Sequence, residues 1–254
     1  MKKPIRVVAL FAALLGIIAS SSTAARADFI LPHQYVEQDF DTTLDGGYYE
    51  AVAGQEDLTN PNQLAYDSVN NQYSFINKEM WLNVSKSTDH TCNFGANHCW
   101  LEAGDTAGGL QTSTGVTAWA GHYFAIARND GTYYEEPIGT SGVTGTHTFE
   151  IAYGTNGIWE IYIDGALSRQ ISSMSYFGSG DGYSLHAGIE SDNTNNTYKS
   201  GTYEDALQYR YNSGSGVTWY YWDPVGPYSS DNLTYINGAH STYSASSNPT
   251  ATFY

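Results

Sequence analysis

The sequence predicts an all-β chain, an antiparallel two-sheet sandwich of jelly-roll type. Three observations carry that expectation. Apolar residues recur at every second position in short runs, and Gly, Asn and Asp punctuate those runs at tight-turn spacing. No helical periodicity runs beyond two turns. Many short strands, frequent turns and no helices leave a sandwich or barrel as the way to bury one apolar face per strand.

The N-terminus comes first and stands apart from the fold. Lys2, Lys3 and Arg6 precede an apolar run from Val7 to Ala19, and Ala25-Arg26-Ala27 closes it. That order is the signature of a secretory signal peptide over residues 1–27, cleaved before Asp28. The apolar run is 13 residues long, short of a bilayer span. The expectation is a secreted, extracellular product of bacterial export, with no membrane attachment after cleavage. Residues 28–75 are acidic and rich in Asn and Gln, with weak strand signals; they read as first strands or as a removable pro-segment. Residues 76–254 read as the sandwich domain.

Within that domain "HCWLEAGDTAGG" (98–109) reads as a strand running into a glycine-rich turn, with His98, Trp100 and Glu102 on one face and Cys99, Leu101 and Ala103 on the other. "YFAIAR" (123–128), "NDG" (129–131) and "TYYEEPI" (132–138) form a hairpin, because Asp-Gly between alternating runs favours a tight turn. "THTFEIAY" (146–153), "GTNG" (154–157) and "IWEIYID" (158–164) form a second, with Phe149, Ile151 and Tyr153 sharing one face and Trp159, Ile161 and Ile163 sharing one face of the partner strand. "YSLHAGIES" (183–191) turns Leu185, Ala187 and Ile189 one way and His186, Gly188 and Glu190 the other. A loop at 192–201 and strands at 204–212 and 217–223 follow.

Charge narrows the partners. The signal segment holds four of the ten basic residues and none of the 26 acidic ones, so the mature chain carries a net charge near −20. Such a surface repels nucleic acid, anionic lipid and polyanionic substrates. Cys92 and Cys99 enclose six residues, a local disulfide in an oxidising compartment. The two thiols lack a second ligand pair, and "DNTNN" and "DGYYE" lack an EF-hand spacing, so neither a metal nor a cofactor is expected. No nucleophile elbow, zinc helix or phosphate loop occurs.

What remains is a set of strands with one greasy face and one mixed face. Trp100, Glu102, Trp119, Tyr123, His186 and Glu190 all fall on predicted non-core faces. If the strands share a sheet, these residues line a concave groove. Rings stack on sugar C–H faces, while carboxylates accept hydroxyl hydrogen bonds. Glu102 and Glu190, if close, form a carboxylate pair suited to acid–base work.

The order and spacing of "WLEAGD" (100–105), the aromatic strand near 119–126, "IWEIYIDG" (158–165) and "HAGIES" (186–191) resemble secreted β-sandwiches of the concanavalin A-like class. Within it they are most similar to glutamic peptidases (eqolisins) and their bacterial relatives, over about residues 80–195. The resemblance implies a Gln and a Glu on two strands holding the attacking water and stabilising the oxyanion. Glu102 stands where that family has its Gln, and Gly188 stands where it has its Glu; Glu190 lies two residues on, facing the same way. The leading expectation is therefore an exported sandwich that binds a neutral extracellular polymer, a glycan, through Trp100, Glu102, Trp119, Tyr123, His186 and Glu190. The alternatives are an acid-active peptidase or glycosidase using Glu102 and Glu190 as catalytic pair, and a structural surface or matrix protein. Its partner is an extracellular glycan or peptide.

Overall fold

The computed structural model describes residues 34–40, 48–58, 66–67, 72–84, 99–112, 115–127, 133–154, 158–171, 182–191, 202–212, 217–222, 241–244 and 246–254. These form β1 (Gln34–Phe40), β2 (Tyr48–Leu58), β3 (Tyr66–Asp67), β4 (Gln72–Tyr73), β5 (Ile76–Val84), β6 (Cys99–Thr112), β7 (Gly115–Ala127), β8 (Tyr133–Pro137), β9 (Gly145–Tyr153), β10 (Trp159–Ile163), β11 (Ala166–Ile171), β12 (Gly182–Ser191), β13 (Thr202–Asn212), β14 (Val217–Tyr221), β15 (Ser241–Ser244) and β16 (Thr250–Phe253). The signal segment, His98 and Cys92 lie outside the described residues, and with Cys92 the proposed disulfide.

β3 and β4 pair only with each other, and the other strands make an all-β sandwich of two antiparallel layers. The first runs β1-β12-β5-β6-β7-β8. The second runs β11-β10-β9-β2-β13, and the far edge of β13 is shared by β14 and by β16 with β15. A bridge between Gly182 and Tyr49 ties β12 to β2, so the hydrogen-bonded ladder passes from one layer into the other. Arg169 of β11 reaches back to the first layer, donating to the Pro137 carbonyl at 3.2 Å and pairing with Glu136 at 3.5 Å.

Strict alternation explains which face each strand buries. Met80, Leu82, Leu101, Ala103, Phe124, Ile126, Leu185, Ala187 and Ile189 of the first layer meet Val52, Phe149, Ile151, Trp159, Ile161, Leu207, Trp222 and Phe253 of the second in one core. Leu101 is fully buried, so Leu101→Ala removes an isobutyl group from a closed interior, a change that costs about 2–5 kcal/mol. Strands β9, β10 and β12 carry the inward residues read from the sequence.

One expectation needs correcting. The glycine-rich stretch after Glu102 is not a turn: β6 continues through Gly104, Gly108 and Gly109 to Thr112. Glycine here serves close approach between strands. A Cβ at Gly104 would sit 2.1 Å from the Lys78 carbonyl oxygen, and one at Gly108 would sit 2.0 Å from that of Ser74. Residues 34–58, with only weak strand signals in the sequence, supply β1 and the central strand β2.

Candidate carboxylate site

The outer face of the first layer carries the residues opposite the core set. Four strands bring them together in a row: Tyr123 of β7 stands opposite Gly104 of β6, Gly104 opposite Glu79 of β5, and Glu79 opposite Gly188 of β12. The glycines on either side leave the space around Glu79 open to longer neighbours. On one diagonal of Glu79 lies Glu102, which pairs with Trp81; on the other lies Glu190, which pairs with Asn77. Both extend over Glu79, and one carboxylate oxygen from each of the three lies within 4.8 Å of the others. The cluster is nearly sealed, with Glu79 1%, Glu102 3% and Glu190 3% exposed.

The hydrogen bonds fix protons in this cluster. The Tyr123 hydroxyl contacts both Glu79 and Glu102. A phenol has one hydrogen to donate, so of two such contacts at most one is a donation from tyrosine. The other is met by sharing that hydrogen or by a carboxylic acid proton given to the phenol oxygen. Sharing one phenol hydrogen between two buried carboxyls favours a proton held on one of the glutamates. Trp100 Nε1 donates to Glu102 Oε2 at 3.2 Å, and Asn77 Nδ2 donates to Glu190 Oε2 at 3.4 Å.

Electrostatics agrees. Burial pushes Glu102 up, the Glu190 charge adds to it, and hydrogen bonds from Glu79, Tyr123 and Trp100 offset part of this, leaving Glu102 at about 7. Burial pushes Glu79 well above the carboxylate range, and the Glu102 and Glu190 charges push it further. Tyr123, buried among these charges, is held well above the ordinary phenol range. A hard cation favours all-oxygen sets of this kind. Here a phenol already joins two of the three carboxyls, which makes the trio a proton-sharing cluster.

Aromatic rings flank it on both sides. Trp81 and His186 stack with ring centroids 4.8 Å apart and planes within 2°. Trp100 faces Tyr133 at 6.1 Å, and the Tyr133 hydroxyl donates to Glu135 at 2.8 Å. Beyond them, Leu110, Tyr123 and Ala125 form a second apolar cluster on this outer face, with Trp119 and Tyr133 packed against it.

Of the residues singled out in the sequence, Trp100, Glu102, Tyr123, His186 and Glu190 thus lie on one face, with β5 between the strands that carry the two glutamates. Trp119 is on the same side, but it joins the apolar cluster and donates from Nε1 to the His122 carbonyl at 2.9 Å. Glu79, Asn77, Trp81 and Glu135 went unread. In "INKEMWLNV" the alternation is present, but Lys78 occupies an inward position and breaks the apolar signal that would have marked the strand.

No protein-family model and no curated protein matches the chain. Among solved structures it is similar to scytalido-glutamic peptidase bound to a peptide-based transition state analog, at 8% identity and TM-score 0.43, covering 88% of this chain and all of that one. It is also similar to SCP-B, a member of the eqolisin family of peptidases in complex with the tripeptide Ala-Ile-His, at 11% identity and TM-score 0.40, covering 88% and 98% of the two chains. LamAcat from Zobellia galactanivorans is similar over 61% of this chain and 66% of its own, at 11% identity and TM-score 0.32.

Proposed function

We propose that the chain is an exported hydrolase of a neutral extracellular glycan, with Glu79, Glu102, Glu190 and Tyr123 as its proton-handling machinery. One observation carries this: Glu102 and Glu190, from strands separated by β5, converge to oxygens within 4.8 Å around a third carboxyl, Glu79, which Tyr123 joins to Glu102. That bound falls below the roughly 6.5–9.5 Å that seats a water between two carboxyls, which favours double displacement over direct attack by water.

In this mechanism Glu102, protonated below about pH 7, gives its proton to the departing glycosidic oxygen. Because the cluster is nearly sealed, the sugar reaches it only when the side chains over Glu102 and Glu190 open; Glu190 then attacks the anomeric carbon as that bond breaks. The Glu102 carboxylate then takes a proton from water, whose oxygen displaces Glu190 and completes hydrolysis. Glu79 and Tyr123 hold Glu102 in place and store the proton between steps. Trp100 with Tyr133, and the partly exposed His186 backed by buried Trp81, supply faces for sugar rings on either side. Among the described residues this face presents no lysine or arginine, which suits an uncharged chain.

Those aromatic pairs also support simple binding without turnover, and assays separate the two. Soluble neutral glycans are incubated with the protein from pH 3 to pH 8, with denatured protein as a parallel substrate. Turnover of glycan that drops about 10²–10⁴-fold in Glu102→Gln supports the proposal. Retention on glycan without turnover leaves a binding module, and cleavage of denatured protein alone makes the same cluster a peptidase's.

A further inference from the structure

A second set of carboxyls lies inside the core, on β2 and β13 of the facing layer. On β2, Val52, Gly54 and Glu56 point inward; a Cβ at Gly54 would lie 2.7 Å from Met80 Sδ of the facing layer. Glu56 stands directly opposite Glu204 of β13. Both are 0% exposed, and among the described residues no side chain hydrogen-bonds either carboxyl; the groups that approach them are backbone amides, of Asp105 toward Glu56 and of Gly188 and Glu79 toward Glu204, too far or too bent for a well-formed hydrogen bond. The charged groups facing them are few. Lys78 comes from β5 and Asp105 from β6, 8% and 5% exposed. His122 of β7 holds Asp105 Oδ1 at 2.6 Å, and its ring meets His147 of β9 at 4.7 Å. The neighbouring backbone positions, Gly188 on β12 and Ala251 on β16, bring no charge. One lysine therefore serves two glutamates.

An ionised carboxylate without a partner is among the most costly things an interior can hold. Two of them side by side, with a single cation between, leave one uncompensated. The interior resolves this by keeping a proton.

We propose that Glu56 and Glu204, paired across two strands of the second layer and facing the first, form a proton-held latch on the interior, closed in acid and forced open when both ionise, so that the fold itself confines the protein to acidic and near-neutral surroundings. This goes beyond the proposed hydrolysis and does not depend on it. Burial, then the facing carboxylate and Asp105, hold Glu56 well above its ordinary 4.5; burial does the same for Glu204, and Lys78 relieves it only in part. A group whose folded value is raised stabilises the fold fully below its unfolded value, and that stability drains away as pH climbs toward the folded value.

Denaturant unfolding of the whole chain, measured from pH 4 to pH 9, tests the latch. In wild type the unfolding constant is expected to rise above about pH 5, tenfold per pH unit for each proton the fold retains. The carboxylates around Glu79 contribute in the same direction, so the decisive comparison is with Glu56→Gln and Glu204→Gln, in which an amide replaces the protonated acid. Either variant should fold and lose about one tenfold step per pH unit from the wild-type slope. Wild-type stability that stays flat or rises over pH 5–8 overturns the latch. So does an unchanged slope in both variants, which assigns the effect to the outer cluster, and so does failure of both to fold, because a neutral side chain must be tolerated there.

Discussion

Tyr123→Phe removes one oxygen from the centre of the carboxylate cluster and leaves the ring packing in place. Tyr123 is fully buried and touches Glu79 and Glu102 through that oxygen alone, so no water takes over its role. A hydrogen bond to a charged group is worth about 1.5–3 kcal/mol, and leaving a buried polar group unsatisfied costs about 1–3 kcal/mol. Loss of folding stability of about 1.5–3 kcal/mol is therefore expected near neutral pH. The second effect is on titration. Tyr123 favours the ionised form of Glu102, and each ~1.4 kcal/mol of lost preference for the carboxylate raises its titration by about one pH unit. Since Glu102 must be protonated to act, activity falls as pH rises through its value. The alkaline limb of the pH–rate profile, expected near pH 7 in wild type, should move up by about one to two units in the variant. The assay is the paired measurement of denaturant midpoint and pH–rate profile. A limb that stays put, or moves down, refutes the bridging role of Tyr123.

Two further outcomes follow from other parts of the molecule. Gly104→Ala places a Cβ 2.1 Å from the Lys78 carbonyl, so β5 must retreat by about 1 Å; the expected loss is about 1–3 kcal/mol in thermal or denaturant unfolding, with activity falling further than stability because Glu79 moves too. His147 is held above its ordinary value: burial alone would lower it, but the Asp164 carboxylate at 2.7 Å and the Thr144 carbonyl more than compensate. Asp164→Asn should lower the His147 titration midpoint followed by ring-proton NMR, and an unchanged midpoint removes that pairing.

The fold was readable because strands that bury one face must alternate, and β9, β10 and β12 alternate without interruption. Trp100, Glu102, His186 and Glu190 were placed on the outer face by the same parity rule. Alternation could not show which strand separates β6 from β12, because that is set by pairing across the sheet. The intervening strand carries Lys78 where an apolar residue was expected, so Glu79, the centre of the cluster, stayed hidden. The glycines at 104, 108 and 109 misled for a related reason. Turn and close strand contact both select glycine, and sequence alone does not separate them. Glu56 and Glu204 sit 148 positions apart, and only the pairing of β2 with β13 makes them neighbours.

Carboxyl-carbon NMR on glutamate-labelled protein tests the outer cluster most directly, by following Glu102 across the pH range in wild type and in Glu190→Gln. A midpoint near 7 in wild type, shifting downward once the neighbouring negative charge is gone, is the expected result. Ordinary titration of Glu79, Glu102 and Glu190 alike, at the values of exposed glutamates, would mean that no proton is shared there and would contradict the acid–base role.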